Sequence, residues 1–139
     1  MKTRLGILVL SLSVFFTGQL VWGQDTDNNN KDHNTLVIAQ QIMNANPEQV
    51  YWEEAPDVLF AIPIFRILVN ADGRIQDVIV LRTPNNPAAI DTVDLALKAI
   101  KKAEPFQNLI TDGKTIEIVQ TFLFKKDRKF KIRILDGQK

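Results

Sequence analysis

From Pro63 the chain alternates with a period of two, Ile64, Arg66, Leu68 and Asn70 against Phe65, Ile67, Val69 and Ala71, which predicts a β-strand. Asn70-Ala71-Asp72-Gly73-Arg74 then forms a hairpin connection, Asp and Gly suiting a type I turn followed by a left-handed residue. A second strand is predicted within 75–83, carried by Ile75, Val78, Val80 and Leu81 and stopped by Pro84. The period next changes to that of a helix. Val93, Ala96, Leu97 and Ile100 make one apolar stripe, Asp91 stands where an N-cap carboxylate accepts from free amides, and Pro105 closes the element. Asp94 in the first turn and Lys98, Lys101 and Lys102 in the last suit the helix dipole.

Thr111-Asp112-Gly113-Lys114 is a further turn before Thr115 to Phe124, where Ile116, Ile118, Gln120 and Phe122 alternate with Glu117, Val119, Thr121 and Leu123. Both faces are partly apolar, so this is read as a central strand. Residues Lys125 to Arg128 turn the chain back. Phe130, Ile132 and Ile134 then alternate with Lys129, Lys131 and Arg133 in a strand, Lys129 to Leu135, with one wet basic face.

Upstream, Thr35 to Asn44 predicts a short helix with Leu36, Ala39, Gln40 and Met43 on one face and Val37 beside it, ended by Asn46-Pro47. Residues 24–34 contain no apolar side chain and three consecutive asparagines, and read as a disordered tether. Residues 1–23 read as a signal peptide: Lys2 and Arg4, an apolar run from Leu5 to Phe16, and cleavage near Gly23. The run is shorter than the roughly 20 residues that span a bilayer; retention as an inner-membrane anchor is the alternative. The expected localisation is periplasmic or secreted. The order helix, strand, strand, helix, strand, strand over 35–139 predicts a two-layer α+β domain. In it an antiparallel sheet of three or four strands packs on one or two helices.

Composition narrows the chemistry. Without Lys2 and Arg4 the chain carries 15 basic and 16 acidic residues, so steering toward nucleic acid is not expected. There is no cysteine, so no disulfide staples the fold and the core must carry its stability. After Gly23 the sequence holds no serine and a single histidine, His33, which excludes Ser/His and Cys/His nucleophilic machinery and leaves zinc without ligands at suitable spacing. No catalytic residue, metal or cofactor is expected. Glu53, Glu54 and Asp57 read as solvated loop charges rather than a cation site, and Asp72 as part of its turn. The basic run Lys125, Lys126, Arg128, Lys129, Lys131 and Arg133 has two readings: contact with an anionic membrane or wall surface, or an edge strand studded with lysine against sheet-to-sheet aggregation. Tyr51, Trp52 and Phe60 read as a lid over the core, with an exposed patch as the alternative.

Three patterns in order, Ile67 to Val78 around Asp72-Gly73-Arg74, Ala96 to Phe106 ending in Ala103-Glu104-Pro105-Phe106, and Thr121-Phe122-Leu123-Phe124, resemble the TonB/TolA C-terminal domain family of Gram-negative envelopes. The resemblance runs from about Phe65 to Phe124. It implies a non-enzymatic binding module whose partner is an envelope protein, an outer-membrane transporter or a Tol/Ton-type component. The implied mechanism is strand addition beside the strand after the helix. On that mapping the partner-binding residues are Ile116, Ile118, Gln120, Phe122 and Phe124, with Lys129, Lys131 and Arg133 on the next strand. That last strand could instead occupy the same sheet edge from within the molecule.

Overall fold

The computed structural model describes residues 26–134, so the expected signal peptide lies outside the described residues. Two compact units share the chain, 1–31 and 32–139. Of the first, residues 26–31 are described and are helical. The second is an α+β domain: a four-stranded antiparallel sheet with two helices packed against it. Helix α1 is assigned over residues 26–45, and β1 (Ile64–Val69), β2 (Ile75–Arg82), α2 (Asp91–Lys102), β3 (Ile116–Phe124) and β4 (Phe130–Ile132) follow. The sheet order is β2-β1-β3-β4, which makes β3 an internal strand as its two half-apolar faces predict. No helix among the described residues is long and apolar enough to cross a membrane.

The core lies between the sheet and the two helices. Phe65, Ile67 and Val69 of β1 and Ile118, Phe122 and Phe124 of β3 are buried, and alternation sends every second residue to the opposite, wetter face. Phe122 packs edge-on to Phe65 at 5.4 Å between centroids and lies 5.0 Å from Phe130. Above them sit Ile38, Ala39, Ile42 and Met43 of α1 and Ala96, Ala99 and Ile100 of α2.

Two expectations are corrected at α1. Residues 26–34 are helical rather than a disordered tether, and the buried face is Asn34, Ile38, Ala39, Ile42, Met43 and Asn46, with Gln40 exposed. The physical reason is that the helix docks through amides as well as alkyl groups. Asn34 donates to the Ile110 carbonyl and accepts from the Ile110 N–H, both at 2.8 Å. Two turns later Gln41 brackets Gln107 in the same way, at 2.7 and 2.9 Å, and His33 Nε2 lies 3.0 Å from the Asn108 carbonyl. The connection after α2 is thus held by helix side chains as a neighbouring strand would hold it. Asn46 donates to the Ile42 and Ala99 carbonyls and so joins the end of α1 to α2.

Asn34→Ala leaves both polar groups of Ile110 without their partner in a part-buried setting. It is expected to lower stability by about 2 kcal/mol, read as a shift in the urea midpoint at unchanged slope.

The N-terminus of α2 differs from the prediction too. Asp91 is the first helical residue, Ile90 occupies the cap position, and no side chain caps there. A 3₁₀ turn, Pro87–Ala89, leads into the helix, and Asn86 caps that turn by accepting from the Ala88 N–H.

Candidate partner-binding edges

Strand addition needs backbone groups that no neighbouring strand has taken. The Phe122 N–H donates to the Pro63 carbonyl at 3.0 Å, and both backbone groups of Phe124 bond to Ala61. The even-numbered residues of β3 therefore turn their backbones to β1 and its approach. Ile118, Gln120, Phe122 and Phe124 are buried, and Ile116 is half-buried on the same side. Gln120 is 1% exposed, its amide spent on the Thr35 carbonyl at 2.8 Å. Four of these five expected contact residues are core, Ile116 packs beside them, and their backbones face β1 and its approach. The β3 groups that look away from β1 belong to the odd-numbered residues.

That second side of β3 is partly taken. β4 pairs along it at Phe122↔Ile132, Leu123↔Lys131 and Phe124↔Phe130, and the Arg133 N–H reaches the Thr121 carbonyl. The outer side of β4 is bridged in turn, because the Phe130 N–H donates to Gln49 and its carbonyl accepts from Tyr51. The last strand thus covers the second half of the β3 edge from within the molecule. It is also shorter than predicted, three residues instead of Lys129 to Leu135.

Much of the basic run is engaged internally. Lys125 Nζ is 3.4 Å from Glu53 and 3.6 Å from Asp127, and Lys131 donates to the Glu53 carbonyl at 3.0 Å. Lys126, Lys129 and Arg133 remain exposed. Hydrogen bonding from its own backbone, then from Lys125, holds the Glu53 carboxyl below its ordinary value. The Lys129 N–H does the same for Asp127, aided by Lys125. Tyr51 is a buried lid residue, its hydroxyl on the Leu123 carbonyl, with burial pushing its pKa up. Trp52, in contrast, is 60% exposed.

Arg128 is heavily committed. It donates to Asp91 at 2.9 Å, to the Lys126 carbonyl at 2.7 Å and to the Ala88 carbonyl at 3.1 Å, and its guanidinium lies 4.4 Å from the Phe60 ring centroid. It occupies, at φ 70°, the left-handed position of the β3–β4 turn that Gly73 fills in the β1–β2 turn at φ 87°. In each turn an aspartate, Asp72 or Asp127, accepts from the N–H two residues on. Arg128→Ala loses the latch and keeps the backbone strain, whereas Arg128→Gly loses the latch alone. The alanine variant is expected to be the less stable by about 1 kcal/mol, measured by thermal melting.

Arg128 hydrogen-bonds Asp91 and holds its carboxyl below the usual range. A depressed folded-state pKa contributes stability above the ordinary carboxylate value of about 4, and that contribution is lost as pH falls through the depressed one. Asp91→Asn is expected to flatten the acid limb of the midpoint against pH, below the ordinary carboxylate value.

β2 has a different environment. It forms one outer edge of the sheet, and on the described residues nothing pairs with its outer side along Ile75–Arg82. Arg66↔Ile79 and Leu68↔Asp77 are the pairs whose backbones face β1, so Val78 and Val80 direct their N–H and C=O groups outward. Among known proteins, no family model matches this chain, and no curated protein or solved structure matches it. The sheet edges are therefore judged on their own chemistry. β2 carries no lysine, and Ile79, Val80 and Leu81 are 37%, 37% and 44% exposed. Between β2 and α2 lies a groove of about 410 Å³ lined by Ile75, Val78, Leu97, Ile100, Lys101 and Glu104.

Reasoning from the sequence missed this edge, since Gln76, Val78 and Val80 alternate like any paired strand. The available signal was faint: IQDVIVLR has neither the lysine nor the proline that guard edge strands, Asp77 and Arg82 being its charged residues. Among the described residues no group of three or more His, Cys, Asp or Glu could hold a metal.

Proposed function

We propose that this chain is an exported, non-enzymatic module of the cell envelope that captures a partner protein by strand addition, in the manner of TonB-like domains. The observation that carries the reading is β2, an eight-residue edge strand whose outer backbone groups have no strand partner among the described residues. The three sequence patterns between Phe65 and Phe124 supply the envelope context and suggest a transporter or Tol/Ton-type component as partner. The edge differs from the one the resemblance implies. β4 covers half of that strand, so β2 is the better candidate.

The test separates backbone pairing from attraction to the exposed Lys126, Lys129 and Arg133. Capture of envelope proteins by the immobilised chain is measured at low and high salt. Main-chain pairing is expected to survive about 0.5 M salt, where the screening length falls to a few ångströms, whereas charge-driven binding to lipid or wall fades. Capture that disappears at high salt, and also in a Lys126/Lys129/Arg133→Gln variant, would remove strand addition as the mechanism.

A further inference from the structure

The groove beside β2 adds side-chain selectivity to a bare edge. Val78 and Val80 pair with Ile67 and Phe65 and so share the helix-facing side of the sheet, while their backbones face out. A strand laid against them would place every second side chain over the space walled by Val78 and Leu97.

Among the described residues, carboxylates alone close the edge. Val78 N–H donates to Asp77 Oδ1 at 2.8 Å, and Ile75 N–H to Glu104 Oε2 at 3.0 Å. Each satisfies one outward donor and can swing aside for an incoming carbonyl, while keeping the resting edge from pairing indiscriminately. On the helix wall Lys101 lines the groove beside Lys98 and Lys102, and none of the three forms an ion pair among the described residues.

We infer that the β2–α2 groove docks an extended peptide segment of a partner protein, which adds to β2 as a fifth strand. It seats an apolar side chain between Val78 and Leu97 and directs a carboxylate to Lys101. This deepens the strand-addition reading and rests on it. A second copy of the chain, pairing edge to edge through β2 about a twofold axis, is the competing occupant.

The experiment titrates the purified protein with nine-residue peptides of alternating Thr and Leu bearing a terminal Glu. A scrambled peptide of the same composition is the control. Fluorescence polarisation gives affinity, and amide chemical shifts give location. The alternating peptide is expected to bind at least about tenfold more tightly than the scrambled one, with shifts at Gln76, Val78, Val80 and Leu97.

Val80→Pro removes the outward donor without touching a β1 ladder bond and should abolish binding. Lys101→Glu, on an exposed position, should weaken the Glu-bearing peptide about tenfold, and Asp77→Ala should strengthen it. Binding that ignores Val80→Pro and shifts β3–β4 amides would overturn the groove while leaving strand addition intact. No binding by any alternating peptide would overturn both. A dimer in sedimentation that Val80→Pro dissolves, with no peptide bound, would make a second copy the occupant and end the peptide proposal.

Discussion

Replacing Gly73 by alanine is expected to lower stability by about 3 kcal/mol or more. Two effects add. The residue sits at φ 87°, where a side chain costs about 1 kcal/mol, and a Cβ there would stand 2.0 Å from the Phe106 carbonyl oxygen. The obstacle is backbone, not a side chain that can rotate away. Relief therefore means moving the connection after α2, and with it the bond from Phe106 N–H to the Gly73 carbonyl, 2.8 Å long, and the burial of the Phe106 ring. Urea unfolding of Gly73→Ala against Gly113→Ala makes a controlled pair. Gly113 has a similar φ of 76° with nothing within 4 Å of its would-be Cβ. The second variant should lose about 1 kcal/mol, the strain alone. Equal losses at both sites would mean that the close approach to Phe106 carries no energy.

That contact also explains part of what the sequence shows. The Asp-Gly-Arg turn and the Glu-Pro-Phe exit from α2 stand about 30 residues apart and meet in space, so their joint presence reports one packing event rather than two separate turns. Both hairpins were legible because period-two alternation and turn residues are local. The internal place of β3 was legible from its apolar content on both faces.

What was not legible depended on distant partners. A hydrophobic pattern has no way to count Asn34 and Asn46 as buried, because their partners lie 76 and 53 residues further along. Once they are omitted the stripe on α1 shifts onto Leu36 and Gln40. Asp91 has the composition of a cap, but the 3₁₀ turn begun at Asn86 moves the start of the helical spiral upstream and frees its carboxylate for Arg128. The candidate site failed to show for a related reason. Whether a strand is an edge depends on sheet order, and the order β2-β1-β3-β4 leaves β2 with one neighbour.

Phe122→Ala should cost about 4 kcal/mol, a large share of the 5–15 kcal/mol that a domain of this size commands. The ring is fully buried and touches three others: Phe65 edge-on, Phe124 stacked at 6.1 Å, and Phe130 at 5.0 Å. Phe130 belongs to β4, a three-residue strand held to β3 by few ladder bonds. The ring cluster therefore does for β4 what its short ladder cannot. Hydrogen exchange gives this claim a sharper test than the midpoint. In Phe122→Leu, which retains most of the apolar volume and should cost about 1–2 kcal/mol, the Lys131 and Arg133 amides should lose protection out of proportion to those of β1 and β2. Their bonds lie on the side of the sheet that the lost ring had pinned. Uniform loss across all four strands would show that β4 shares the cooperativity of the whole sheet. The β3 edge would then be uncovered only by global unfolding, which leaves β2 as the edge open to a partner in the native state.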